Sequence, residues 1–199
     1  MICDRNERIP FAWAYVERLA RSLAALDVGA VARAIAVLER AWLDRRRLFI
    51  AGNGGSAATA SHMANDLAKT VAVGPGIAGF RAVALTDNVP LVTALANDIG
   101  YDAVFSAQLE MQADAGDVFI AISGSGNSTN IVRALEVARA RGLLTIGLLG
   151  RDGGAAGKLV DVAVVVPAED YGPIEDVHLI LDHLITEYFK AWLATRTRL

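Results

Sequence analysis

The chain has 199 residues, 54% hydrophobic and 21% charged, and its 19 Lys and Arg against 22 Asp and Glu leave a net charge of −3. Such a length suits one domain with its own core and no disulfide or metal staple, the composition excludes intrinsic disorder, and the acidic balance excludes a dedicated nucleic-acid surface. An apolar share this large in a small chain predicts faces buried between subunits.

In chain order, the first eight residues are polar and of mixed charge, with no apolar signal core behind them. Cys3 is the sole cysteine, so no intrachain disulfide forms and a reducing, cytoplasmic setting is expected. No stretch supplies the roughly 18–20 apolar residues of a membrane span. Phe11 to Leu26 predicts a helix, with Val16, Leu19, Leu23 and Leu26 on one side, and Asp27 can cap a second helix to about Arg45 through Val31, Ile35, Leu38 and Trp42. These two helices, residues 1–46, precede any strand and read as an extension that packs on something, such as a second copy of the chain.

From residue 47 the pattern changes to alternating strands and helices. Predicted strands are Leu48 to Ala51, Arg81 to Thr86, Val118 to Ile122, Leu143 to Leu149 and Val162 to Val166. Predicted helices are Ala57 to Lys69, Val89 to Ala96, Asn130 to Arg141 and Ile174 to about Thr195. Apolar strands without alternation are buried on both faces. The expectation is a single α/β domain, a doubly wound, parallel five-stranded sheet between helices, with ligands beyond the carboxyl ends of the strands.

Two strand-to-helix loops carry the chemistry. Gly52-Asn53-Gly54-Gly55-Ser56 lets backbone approach a ligand ahead of a helix N-terminus, where an anion is favoured; a tight turn with a Ser cap is the plainer alternative. It matches neither the dinucleotide fingerprint, since Ala57 stands at the third Gly, nor the P-loop. Ser123-Gly124-Ser125-Gly126-Asn127-Ser128-Thr129 is richer, since four hydroxyls in seven residues exceed what a helix cap needs and can hold a phosphate monoester without Lys or Arg. His62 and Asp66 share one helix face at i,i+4, and Glu175, His178 and His183 fall on the last helix. Ordinary readings stand beside these: a surface hydrogen bond for His62 and Asp66, and acids favouring a first helical turn for Glu175 and Asp176.

The two loops, Asn97-Asp98 and Gly150-Arg-Asp-Gly-Gly154, occurring in this order, resemble the sugar isomerase (SIS) domain, and within it the phosphoheptose isomerases, over nearly the whole chain. The resemblance implies a flavodoxin-like fold. It implies that Ser123, Ser125 and Ser128 hold the phosphate, that Asn53, Ser56 and Asp98 contact the sugar, and that the substrate-binding set also includes Gly54, Asn97, Gly124 and Glu175. Gly124 departs from the Thr often found there. The resemblance further implies a divalent cation, zinc by expectation, at His62, Asp66, Glu175 and His183, with Asp66 and His183 as the acid/base pair. Asp66 stands where the family has Glu, and Glu175 where it has Gln; both remain oxygen donors. His178 is expected to pack rather than ligate.

Glu175 and His183 are eight residues apart, about 12 Å along one helix. Either Glu175 precedes the helix, or the site is built from two copies of the chain; the second is the expectation, with active sites at subunit interfaces, and the resemblance implies a homotetramer. The implied reaction is aldose–ketose isomerisation of sedoheptulose 7-phosphate to a heptose 7-phosphate through an enediol, for nucleotide-activated heptose. The competing expectations are a non-catalytic SIS protein that binds a replication initiator, and an isomerase of another phosphosugar.

Overall fold

A computed structural model of the chain describes residues 5–72 and 76–196; Cys3 lies outside them. Two helices lead, α1 (Arg5–Ala24) and α2 (Val28–Leu43). Then come β1 (Arg47–Ala51), α3 (Gly55–Asn65) continued by a one-turn π-helix (Asp66–Thr70), β2 (Arg81–Ala84), α4 (Val89–Ile99) and a 3-10 turn (Tyr101–Ala103). The order continues through α5 (Ser106–Gln112), β3 (Val118–Ser123), α6 (Thr129–Ala140), β4 (Leu144–Gly150), the single turn α7 (Gly154–Gly157), β5 (Val162–Val166) and α8 (Tyr171–Ala194).

The strands form one parallel sheet in the order β2-β1-β3-β4-β5, with Leu48 opposite Val118 and Val118 opposite Leu144. Because successive side chains point to opposite faces, Leu48, Ile50, Val118 and Ile120 enter one core with α2, α3 and α8. Phe49, Ala51, Phe119 and Ala121 enter the other with α4, α5 and α6. The strand order reverses between β1 and β3, the crevice where open α/β sheets bind ligands.

The expected strands and helices appear with their ends moved by a few residues. α8 starts at Tyr171, ahead of the predicted Ile174, because Pro173 is tolerated in a first turn whose N–H groups lack helical partners anyway. Glu175 therefore lies inside the helix, which removes the first explanation of its distance from His183. α5 was not predicted; Ser106 and Gln108 are buried there, with the Gln108 amide donating to the Leu85 and Val104 carbonyls. The leading helices also divide differently. α2 buries Ala30, Val31, Ala34, Leu38 and Ala41 in the chain's own core, and Asp27 caps it by accepting from the Ala30 N–H. α1 rests on α8, where the Tyr15 hydroxyl donates to Asp176 at 2.5 Å. Its Ile9, Phe11, Trp13 and Val16 are exposed.

Candidate active site

The loops after β1 and β3 open on the two sides of the crevice. Gly54 (φ +56°) and Ser128 are the N-caps of α3 and α6, and neither helix start receives a side-chain capping bond. Both helix N-termini thus offer unpaired N–H groups and positive dipole ends to the same space. Between them lies a cavity of about 190 Å³ lined by Asn53, Ser56, the loop Ser123–Ser125, Ser128, Tyr171 and Glu175.

Hydrogen bonds hold these loops in shape. The Ser123 and Ser125 hydroxyl oxygens accept from the Gly126 and Asn127 N–H groups, which leaves each hydroxyl hydrogen free to donate. Asn127 ties the serine loop to the next one, its Oδ1 accepting from the Ala155 N–H at 2.9 Å. Asn53 and Asn130 exchange reciprocal amide bonds of 2.9 Å, and the Tyr101 hydroxyl also donates to Asn53. The Gly124 departure has a physical cause: a Cβ there would lie 2.9 Å from the Tyr171 ring, which itself lies under the Arg151 guanidinium. Glu175 comes so close to α3 that a Cβ on Gly55 would lie 2.5 Å from its carboxylate.

A second constellation lies two turns further along α3 and α8. The His62 Nε2 is 3.5 Å from the Asp66 Oδ2, and the His62 and His183 rings meet edge to face at 5.1 Å. The π-turn, closed by the Val71 N–H on the Asp66 carbonyl, brings the Thr70 hydroxyl onto the Asp66 Oδ1 at 2.9 Å. Asp182 joins them: one donor atom from each of His62, Asp66, Asp182 and His183 lies within 4.8 Å of the others. The histidines are exposed and the carboxylates buried. Asp182 is 0% exposed and both its oxygens lack hydrogen-bond partners. Burial pushes its carboxyl up to about 6, the nearby Asp66 adds to the rise, and His62 and His183 oppose it. A buried anionic pair beside two imidazoles fits a divalent cation, whose charge such oxygens lack.

The structure brings together His62, Asp66 and His183, gathers Asn53, Ser56, Ser123, Gly124, Ser125, Ser128 and Glu175 at the cavity with Gly54 beside it, and within one chain separates Glu175 from the three residues expected to share a cation with it. Asn97 and Asp98 lie outside both, bonded to each other at the exposed end of α4. His178 is buried and its ring nitrogens have no hydrogen-bond partner; burial pushes it down to about 4. Sequence reasoning missed Asp182, Tyr171, Tyr101 and Asn130. Asp182 had a signal, since His178, Asp182 and Thr186 repeat at i,i+4,i+8 on the face of Leu181 and Ile185. The other three had none.

The SIS-domain family profile matches residues 13–150. A phosphoheptose isomerase of Geobacter sulfurreducens is 40% identical over 187 residues, 94% of this chain and 96% of that one. One from Sulfurimonas denitrificans is 45% identical over 150 residues, 73% of each chain. The solved phosphoheptose isomerase of Neisseria gonorrhoeae superimposes with a TM-score of 0.85 at 31% identity, covering 94% of this chain and all of that one. That of Francisella tularensis, at 24% identity and a TM-score of 0.86, shares the fold.

Proposed function

The chain belongs to the phosphoheptose isomerases of the SIS-domain family, and from that premise we propose that it interconverts sedoheptulose 7-phosphate and a heptose 7-phosphate. The observation that carries the reading is the convergence of the α3 and α6 N-termini and four serines on one cavity whose lining has no Lys or Arg. Backbone N–H groups and hydroxyls suffice for a phosphate there, and binding energy at that remote end can position the reacting end.

Asp66 and His183 are the proton-transfer pair, by their match to the family positions. A base takes the proton from C1 of the ketose, and the electron pair forms the C1–C2 double bond of an enediol. The C2 oxygen gains a proton, the C1 hydroxyl loses one, and protonation of C2 gives the aldose. Thr70 fixes one Asp66 oxygen and leaves the other toward His62. His62, Asp66 and His183 would also be among the residues that hold a divalent cation, with Zn²⁺ the first choice for imidazole and carboxylate donors; when bound it supplies Lewis acidity at the sugar carbonyl.

The cavity and the His62–His183 cluster lie two helical turns apart in one chain, roughly 10 Å. Both histidines are exposed, and Ile180, Leu184 and Tyr188 surround His183 with exposed apolar surface on α8. These facts support a homo-oligomer, a tetramer by likeness to the family, in which one copy's cluster completes another's cavity. Among the described residues no helix is long and apolar enough to cross a membrane, and the single cysteine suits the cytoplasm.

The test is incubation of zinc- or manganese-loaded protein with sedoheptulose 7-phosphate, following the aldose formed. His183→Ala is expected to lower kcat by about 10²–10⁴-fold. No turnover by loaded wild-type protein, or near-normal turnover by the variant, refutes the assignment.

A further inference from the structure

We propose that Asp182 is a ligand of the cation site, joining His62, Asp66 and His183 of its own chain. The proposal deepens the isomerase reading, resting on it only for the expectation that a cation is bound. Asp182 is fully buried, yet neither carboxylate oxygen has a hydrogen-bond partner. An ionised carboxylate is not kept in a protein interior without a compensating charge, and among the described residues no Lys or Arg pairs with it.

The donor spacing agrees. Two atoms bound to one ion at about 2.0–2.2 Å each lie no more than about 4.4 Å apart, and the four donor atoms here already lie within 4.8 Å of one another. Asp66 is oriented for the task, because Thr70 and Asn65 donate to its Oδ1 and its Oδ2 faces His62. Glu175 of the same chain is not the fourth donor: it is inside α8, two turns from His183, packed against Gly55 and lining the serine cavity. Two imidazole nitrogens with two carboxylate oxygens suit Zn²⁺, Mn²⁺ or Fe²⁺.

Glu175 then becomes a polar wall of the sugar cavity.

The test titrates chelator-stripped, full-length protein with Zn²⁺ and Mn²⁺, following affinity by calorimetry and the ion-induced rise in Tm. Asp182→Asn is expected to weaken binding at least about tenfold, as losses around metal sites typically do, and to abolish most of the Tm rise. In the metal-free state its Tm is expected to equal or exceed that of wild type, because a buried unpaired charge is gone. Asp182→Leu serves as the second variant should the first not fold. Unchanged affinity in Asp182→Asn overturns the proposal. Failure of wild type to bind either cation also overturns it, and if such protein still isomerises the sugar, the isomerase reading stands alone. A cation site that depends on Asp182 in a protein that turns over no heptose phosphate separates the two the other way.

Discussion

Ser125 shows how this loop can take a phosphate without a cationic side chain. Its oxygen is occupied by the Asn127 N–H, so its hydrogen is free for a phosphate oxygen. Losing one hydrogen bond to a charged group costs about 1.5–3 kcal/mol, so Ser125→Ala is expected to raise KM about 10- to 100-fold with a smaller change in kcat; equal losses in both would place the residue at the reacting end instead. Gly124→Thr makes a second test, since its Cβ meets the Tyr171 ring. It is expected to raise KM, with Tyr171→Ala in the same chain restoring it; a silent single variant would show that Tyr171 moves aside freely. The serines were legible because hydroxyls crowd a strand-to-helix junction. Asp182 was legible only as one member of the His178, Asp182 and Thr186 stripe, and its place beside His62 and Asp66 was not, because that depends on how α3 packs against α8.

At the scale of the element, α8 carries a buried polar stripe, and His178 gives it a pH signature. Burial holds the imidazole at about 4 in the fold against about 6.5 in an unfolded chain. Between those values the unfolded chain binds a proton that the fold refuses, so stability falls as pH drops through this window. At pH 5 the loss is about 2 kcal/mol, worth about 4–8 °C in Tm for a chain of this size. His178→Leu, of similar volume, is expected to lose less Tm than wild type between pH 7 and pH 5 by that amount; parallel curves would mean the buried ring does not govern the slope. Helix existence was legible along the chain from apolar spacing. The π-turn at Asp66 and the helix α5 were not, since the first depends on a single hydrogen-bond shift and the second buries Ser and Gln through tertiary bonds.

For the whole molecule, the alternation of apolar strands and helices made the parallel sheet and its ligand edge readable in advance. The assignment of both leading helices to an extension failed for α2, because nothing in an amphipathic pattern says whose core its apolar side enters. α1 and the outer side of α8 keep Trp13, Val16, Ile180, Leu184 and Tyr188 exposed. Light scattering is expected to give four times the chain mass, and Leu184→Glu to lower both mass and turnover while the circular dichroism of the fold persists; a fully active monomer would refute the shared site. The Asn53–Asn130 pair bears finally on ageing. Asn53 precedes Gly54, and an Asn followed by Gly is prone to cyclise through its amide and hydrolyse to a carboxylate. In the fold that amide is bound by Asn130 and Tyr101, so the chemical clock at this position runs mainly in opened molecules. Stored protein is expected to gain about one dalton at residue 53 faster near its Tm than well below it, by peptide mass spectrometry, and each event leaves a negative charge on the wall of the cavity.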